Sequence, residues 1–231
     1  MRKNGSRLIS IQQYRTTDLF LFMVILAAAE LLVHYAAVWF PESAFFTFSF
    51  VVPICAVVLM RWGWQAIFFA ITSGLMYCAL NGGAAVSYLT YCIGNSFVLL
   101  ALIPLKFIGS EKITSKWTWS ALFVLICWFC IYIGRAAVWT VCYAVNPVSG
   151  AAFYSGFIQF AATDLLSLAM AVTIVLVLRR FNGMFENQIT YLKRFDSERR
   201  NALKPDAFGD EPIEIDSESL SVLKWHNDDL Y

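Results

Sequence analysis

The sequence predicts an all-α membrane protein with six transmembrane helices and both termini on the cytoplasmic side. Three observations carry this. Hydrophobic residues make up 59% of the 231 residues and charged residues only 14%, where a soluble domain carries about 25% charge. The apolar residues gather into runs near the ~20 needed to cross a bilayer. The 17 Lys and Arg residues lie on one side of those runs, with Arg135 as the one exception.

The elements follow in order. Residues 1–18 form a polar cytoplasmic segment carrying Arg2, Lys3, Arg7 and Arg15. The apolar run after it is too long for a signal-peptide core and ends in Trp39-Phe40-Pro41-Glu42, not a small-residue cleavage site, so it reads as a retained anchor. Span one is Leu19–Phe40. Span two, Phe45–Met60, is short and contains Pro53. Spans three to six are Trp62–Leu80, Ala84–Phe107, Ala121–Ala144 and Phe153–Leu178, giving a transmembrane domain over 19–178. The connections "PESA", a turn at Arg61, "NGG", "IGSEKITSKW" and "NPVSG" carry turn residues.

Basic residues orient the chain. Arg61 follows span two, Lys106, Lys112 and Lys116 lie between spans four and five, and eight more follow span six. The "PESA", "NGG" and "NPVSG" connections have none, as the positive-inside rule asks of outer loops. Beyond span six, residues 179–200 read as a basic amphipathic juxtamembrane helix with Met184, Phe185, Ile189, Leu192 and Phe195 on its apolar positions. A plain extension of span six is the other reading. Residues 201–231 hold eight acidic residues and two lysines, a tail expected to stay disordered until a partner binds it.

Three ionisable residues besides His34 sit deep in spans: Glu30, Arg135 and Asp164. Charge at that depth is costly, so it faces a cavity or a partner. Their depths place all three in one layer. Glu30 and His34 are four apart and share a helical face, as do Arg135 and Trp139. Gln159 lies beside the face of Asp164, span four adds Asn95 and Tyr88, and Asn81 stands near the outer rim. Aromatic and apolar walls with a few placed polar groups suit a small-molecule site. The same Arg135–Asp164 pair also reads as a structural lock between spans five and six. Asn95 reads equally as a helix–helix hydrogen bond.

Several classes are excluded. The six cysteines lie in apolar runs without zinc spacing, and only His34 and His226 accompany them, so no metal or cofactor site is expected. No phosphate-cradling Gly-Lys loop or Gly-x-Ser-x-Gly motif is present, so no enzyme activity is expected. No nucleic-acid partner is expected.

Three stretches resemble a known family: "FSFVVPICAVVLMRWGWQAIFFAITSGLMYCALNGG" (48–83), the polar loop before span five, and "AAFYSGFIQFAATDLLSLAMAVTIVLVLRR" (151–180). With the span order, the chain resembles the substrate-binding S components of energy-coupling factor transporters over roughly residues 16–180. The resemblance implies a bacterial cell-membrane subunit that captures a vitamin-like micronutrient from outside. It implies docking on a membrane coupling subunit bound to two ATPases, which hydrolyse the ATP. It implies docking through small residues of the first helix. Here the nearest are Ala28, Ala29, Ala36 and Ala37, paired eight apart where the family has Ala-x-x-x-Ala. Two other classes stay open: a scaffold or sensor anchoring the acidic tail, and a small proton- or ion-coupled transporter.

Overall fold

A computed structural model of the chain describes residues 11–39, 49–143, 150–181, 183–192 and 194. Two compact units divide the chain, Met1–Tyr191 and Leu192–Tyr231, and nearly all described residues belong to the first. The "PESA" connection, the start of predicted span two, most of "NPVSG" and the acidic tail lie outside the described residues.

Every regular element among the described residues is helical. Helix α1, Ile11–Trp39, begins well before the predicted Leu19. Hydropathy marks what a bilayer accepts, not where helical hydrogen bonding starts, and Gln and Arg sustain a helix in water. Helix α2 is Val51–Trp62, and all 12 of its residues are buried. Pro53 sits in its first turn, where the missing N–H removes no intrahelical bond. Helix α3, Ala66–Leu80, follows after a 3-10 turn at Gly63–Gln65.

The run Val51–Leu80 is a hairpin. Ser49 and Ser73 donate to the same oxygen of Glu30, at 2.8 and 3.1 Å. A straight helix would hold residues so spaced about 36 Å apart. The reversal falls at Gly63, whose φ of 66° suits a residue without Cβ.

Helix α4, Ala85–Ile108, contains a π-turn over Leu89–Ile93 and a 3-10 turn over Phe97–Ala101. A short α5, Ser110–Ser115, occupies part of the predicted polar loop, and α6 runs Trp117–Tyr143. Predicted span six is broken. Helix α7, Gly150–Thr163, and α8, Leu165–Leu178, meet at Asp164 with a bend of 56°.

By length and composition, four runs are suited to crossing a membrane: Gln12–Trp39, Val51–Leu80, Ala85–Ile108 and Trp117–Cys142. The bent α7–α8 pair makes a fifth. Six crossings require α2 and α3 to be counted separately. The core centres on α2, with Leu26, Phe69, Val98, Phe123, Ile131 and Val175 buried around it. All six cysteines are free, Cys127 buried and Cys130 partly so.

At the Gly63 end, polar groups tie three segments together. Arg61, a turn residue in the sequence reading, is 3% exposed on α2. It binds Asp18 of α1 through Nε at 2.9 Å and Nη2 at 2.7 Å, and Trp62 Nε1 donates to the same carboxylate at 2.6 Å. Arg61 Nη1 donates to the carbonyls of Gly183 and Met184, at 2.8 and 3.0 Å. After α8 the chain makes turns at 179–180 and 183–185, and helix resumes only at Gln188. Phe185 is buried against Phe123, with ring centroids 6.5 Å apart. That part of the predicted juxtamembrane helix therefore packs into the bundle.

Candidate functional site

The deep ionisable residues meet in one hydrogen-bonded layer. Helix α6 supplies Arg135 and, one turn earlier, Tyr132. Arg135 Nε donates to Asn95 Oδ1 of α4 at 2.7 Å. Its Nη1 donates to Asp164 Oδ2 at 3.1 Å. Tyr91 of α4 and Tyr132 lay ring faces on the guanidinium, with Cζ 4.8 and 4.9 Å from the centroids. Such faces stabilise a desolvated cation. The helices come close enough because Gly94 meets α6 directly; a Cβ there would lie 2.7 Å from Arg135 Cα.

Asp164 sits at the α7–α8 break, so its side chain enters the bundle where the helix turns. It accepts from the Tyr132 hydroxyl, from Arg135 and from Ser167 Oγ at 3.1 Å. Ser167 Oγ in turn accepts the backbone N–H of Ser49 at 3.1 Å. Ser49 Oγ donates to Glu30 Oε1, which also accepts from Phe50 N at 3.2 Å and Ser73 Oγ. Asn95 Nδ2 closes on the carbonyl of Ala70 at 3.2 Å. A continuous set of bonds thus joins α1, α3, α4, α6, the α7–α8 junction and the segment before α2. Glu30, Asn95, Arg135 and Asp164 are 1–4% exposed, so their polar groups are answered inside the protein or not at all.

A recess opens beside this layer. Ser49, Ser73, Asn95 and Arg135 line it with Tyr77 and Tyr91, and Phe160, Thr163 and Asp164 close it from the α7 side. Tyr77 and Tyr91 pack with centroids 4.4 Å apart, and Phe160 meets Tyr91 edge-on at 6.2 Å. The recess has room for about one water molecule.

The structure brings Glu30, Asn95, Arg135 and Asp164 together in the layer, where Asn95, Arg135 and Asp164 line the recess and Glu30 stands behind Ser49 and Ser73, and it leaves the other expected contacts off the recess. His34 is partly exposed and packs its ring on Tyr35, centroids 5.7 Å apart. A step of four residues turns a helix by ~40° beyond a full turn, enough to carry His34 off the inward face. Trp139 lies over Gly156 of α7. Gln159 is exposed and Tyr88 partly buried. Asn81 is exposed and donates to the carbonyl of Tyr77, closing the end of α3 at 2.8 Å. On α1, Ala28, Ala36 and Ala37 are exposed and Ala29 partly so. Among the described residues no group of three His, Cys, Asp or Glu could hold a metal.

Sequence reasoning missed Tyr132, Ser167, Ser49, Ser73, Tyr77 and Phe160. Tyr132 and Ser167 were findable, three residues from Arg135 and Asp164 on the same helical faces. Ser49 and Ser73 gave no signal, because a lone serine in an apolar run can be satisfied by its own backbone. No family model, curated protein or solved structure matches the chain.

Proposed function

We propose that this protein is the membrane-embedded capture subunit of a nutrient importer. It binds a small water-soluble, vitamin-like solute at the Arg135 recess and leaves ATP hydrolysis to separate partners. In this reading the chain crosses the bacterial cell membrane six times, α2 and α3 each being one crossing, with both termini cytoplasmic. The observation that carries it is the partly committed Arg135 guanidinium. It uses Nε and Nη1 on Asn95 and Asp164 and stands at the wall of an aromatic recess. The exposed alanines of α1 offer a close-approach face for a membrane coupling subunit.

The size of the recess favours a second reading. Room for about one water molecule falls far below the ~300–1,000 Å³ of a typical ligand pocket. In that reading the layer is a structural lock, and the helices anchor the cytoplasmic tail as a scaffold or sensor. Capture requires the Phe160–Asp164 side to move away from Tyr77 and Tyr91 to admit the solute. Native mass spectrometry of the detergent-purified chain separates the two readings. A bound small molecule supports capture, and its absence supports the lock.

A further inference from the structure

Three helix ends meet at one edge of the bundle, far from the recess. Helix α4 ends at Ile108 and α6 begins at Trp117, so the short connection through α5 sets those ends side by side. The end of α8 joins them. Arg179 Nε donates to the carbonyl of Thr114 at 2.8 Å and Nη2 to that of Ser115 at 2.5 Å.

Each end carries a cation followed by an aromatic ring: Lys106-Phe107, Lys116-Trp117 and Arg180-Phe181. All three cations are exposed, and the rings are 85%, 62% and 58% exposed. Among the described residues none of the three cations has an ion-pair partner. Residues 106–117 and 179–181 hold five cations against one carboxylate, Glu111, which is exposed beside them. Exposed apolar side chains run up to the pairs, with Ile103 on α4, Leu122 on α6 and Val177 on α8. The pairs therefore stand where the apolar surface stops. At that level of a bilayer, aromatic rings lie among the headgroups and upper acyl carbons, and Lys and Arg meet phosphates.

We propose that this edge binds phospholipid headgroups of net negative charge. Lys106, Lys116 and Arg180 hold the headgroups, while Phe107, Trp117 and Phe181 seat the upper acyl carbons. Arg179 is the positioning residue that brings the α8 pair to the other two. The proposal needs the helices to cross a membrane and does not rest on capture at the recess.

The test is native mass spectrometry of the full chain from detergent micelles holding phosphatidylglycerol and phosphatidylcholine with the same acyl chains. Wild type is expected to retain phosphatidylglycerol in preference. The Lys106→Gln, Lys116→Gln, Arg180→Gln triple variant is expected to lose that preference, about fivefold for each cation removed. Its unfolding midpoint in lipid-free detergent is expected to match wild type. Glu111→Gln, which removes the one carboxylate, is expected to strengthen the preference, and this guards against a triple variant that fails to fold. Equal retention of the two lipids by wild type, a preference kept by the folded triple variant, or a weaker preference in Glu111→Gln overturns the proposal. So does displacement of phosphatidylglycerol by glycerol phosphate at matched concentration, which marks a site for soluble phosphate. A dimer in lipid-free detergent that the triple variant loses also overturns it, because a second copy then covers the edge.

Discussion

Arg135 is bound 3.1 Å from Asp164, and Asp164 is the residue at which α7 and α8 bend by 56°. The buried ion pair and the helix break are one feature. The bend turns the carboxylate into the bundle, and the guanidinium holds it there. Removing one partner leaves an uncompensated buried charge. Asp164→Ala is therefore expected to destabilise the fold by about 3–5 kcal/mol. Arg135→Met combined with Asp164→Leu is expected to cost less than either single replacement. Unfolding midpoints of the double variant and of each single replacement check this.

The hydroxyl of Ser73 gives Glu30 one of three hydrogen bonds. Ser73→Ala is expected to cost about 0.5–1.5 kcal/mol, the range for an ordinary hydrogen bond. Glu30→Ala, which leaves the Ser49 and Ser73 hydroxyls and Phe50 N–H without their acceptor, is expected to cost more. Denaturation in matched detergent measures both.

Much of this layer was legible in the sequence, and the limits are instructive. Charge is so costly at bilayer depth that Glu30, Arg135 and Asp164 announce themselves as exceptions in apolar runs. Depth along each span then predicts that they meet. Rotation is less legible: His34 and Trp139 share helical faces with site residues in projection, yet both lie off the recess. The turn expected at Arg61 falls at Gly63, whereas the break at Asp164 is a backbone event inside an apolar run, which hydropathy reads as continuous. The clamp between Asp18 and Arg61 was hidden for another reason. Each residue stands at the edge of an apolar run, where a charge needs no explanation.

Gly94 sets the distance between α4 and α6. Gly94→Ala is expected to push Arg135 away from Asn95, because the added Cβ would lie 2.7 Å from Arg135 Cα. Overpacking of this kind costs about 1–3 kcal/mol. The loss shows as a lower unfolding midpoint, and Asn95→Ala in the Gly94→Ala background should then add little.

At the opposite end of α2, Arg61 joins Asp18 to the carbonyls of Gly183 and Met184. Arg61→Ala is expected to release the return segment. Amide hydrogen exchange should rise at 183–191 and in the first turns of α1, with little change at Asn95 or Arg135.

Crossing by α4 predicts that its ends face opposite sides of the membrane. In a chain stripped of native cysteines, Asn81→Cys is expected to label with an impermeant reagent from outside intact cells. Glu111→Cys is expected to label only after the membrane is opened. Labelling of both from the same side contradicts the topology.

The most direct test of capture at the Arg135 recess is native mass spectrometry of the detergent-purified chain beside the Arg135→Met, Asp164→Leu double variant. That variant removes both members of the ion pair together and leaves neither as a lone buried charge. The account predicts a bound small molecule on the wild-type chain and its loss from the folded variant. A wild-type chain with nothing bound, or the same molecule retained by both, contradicts it.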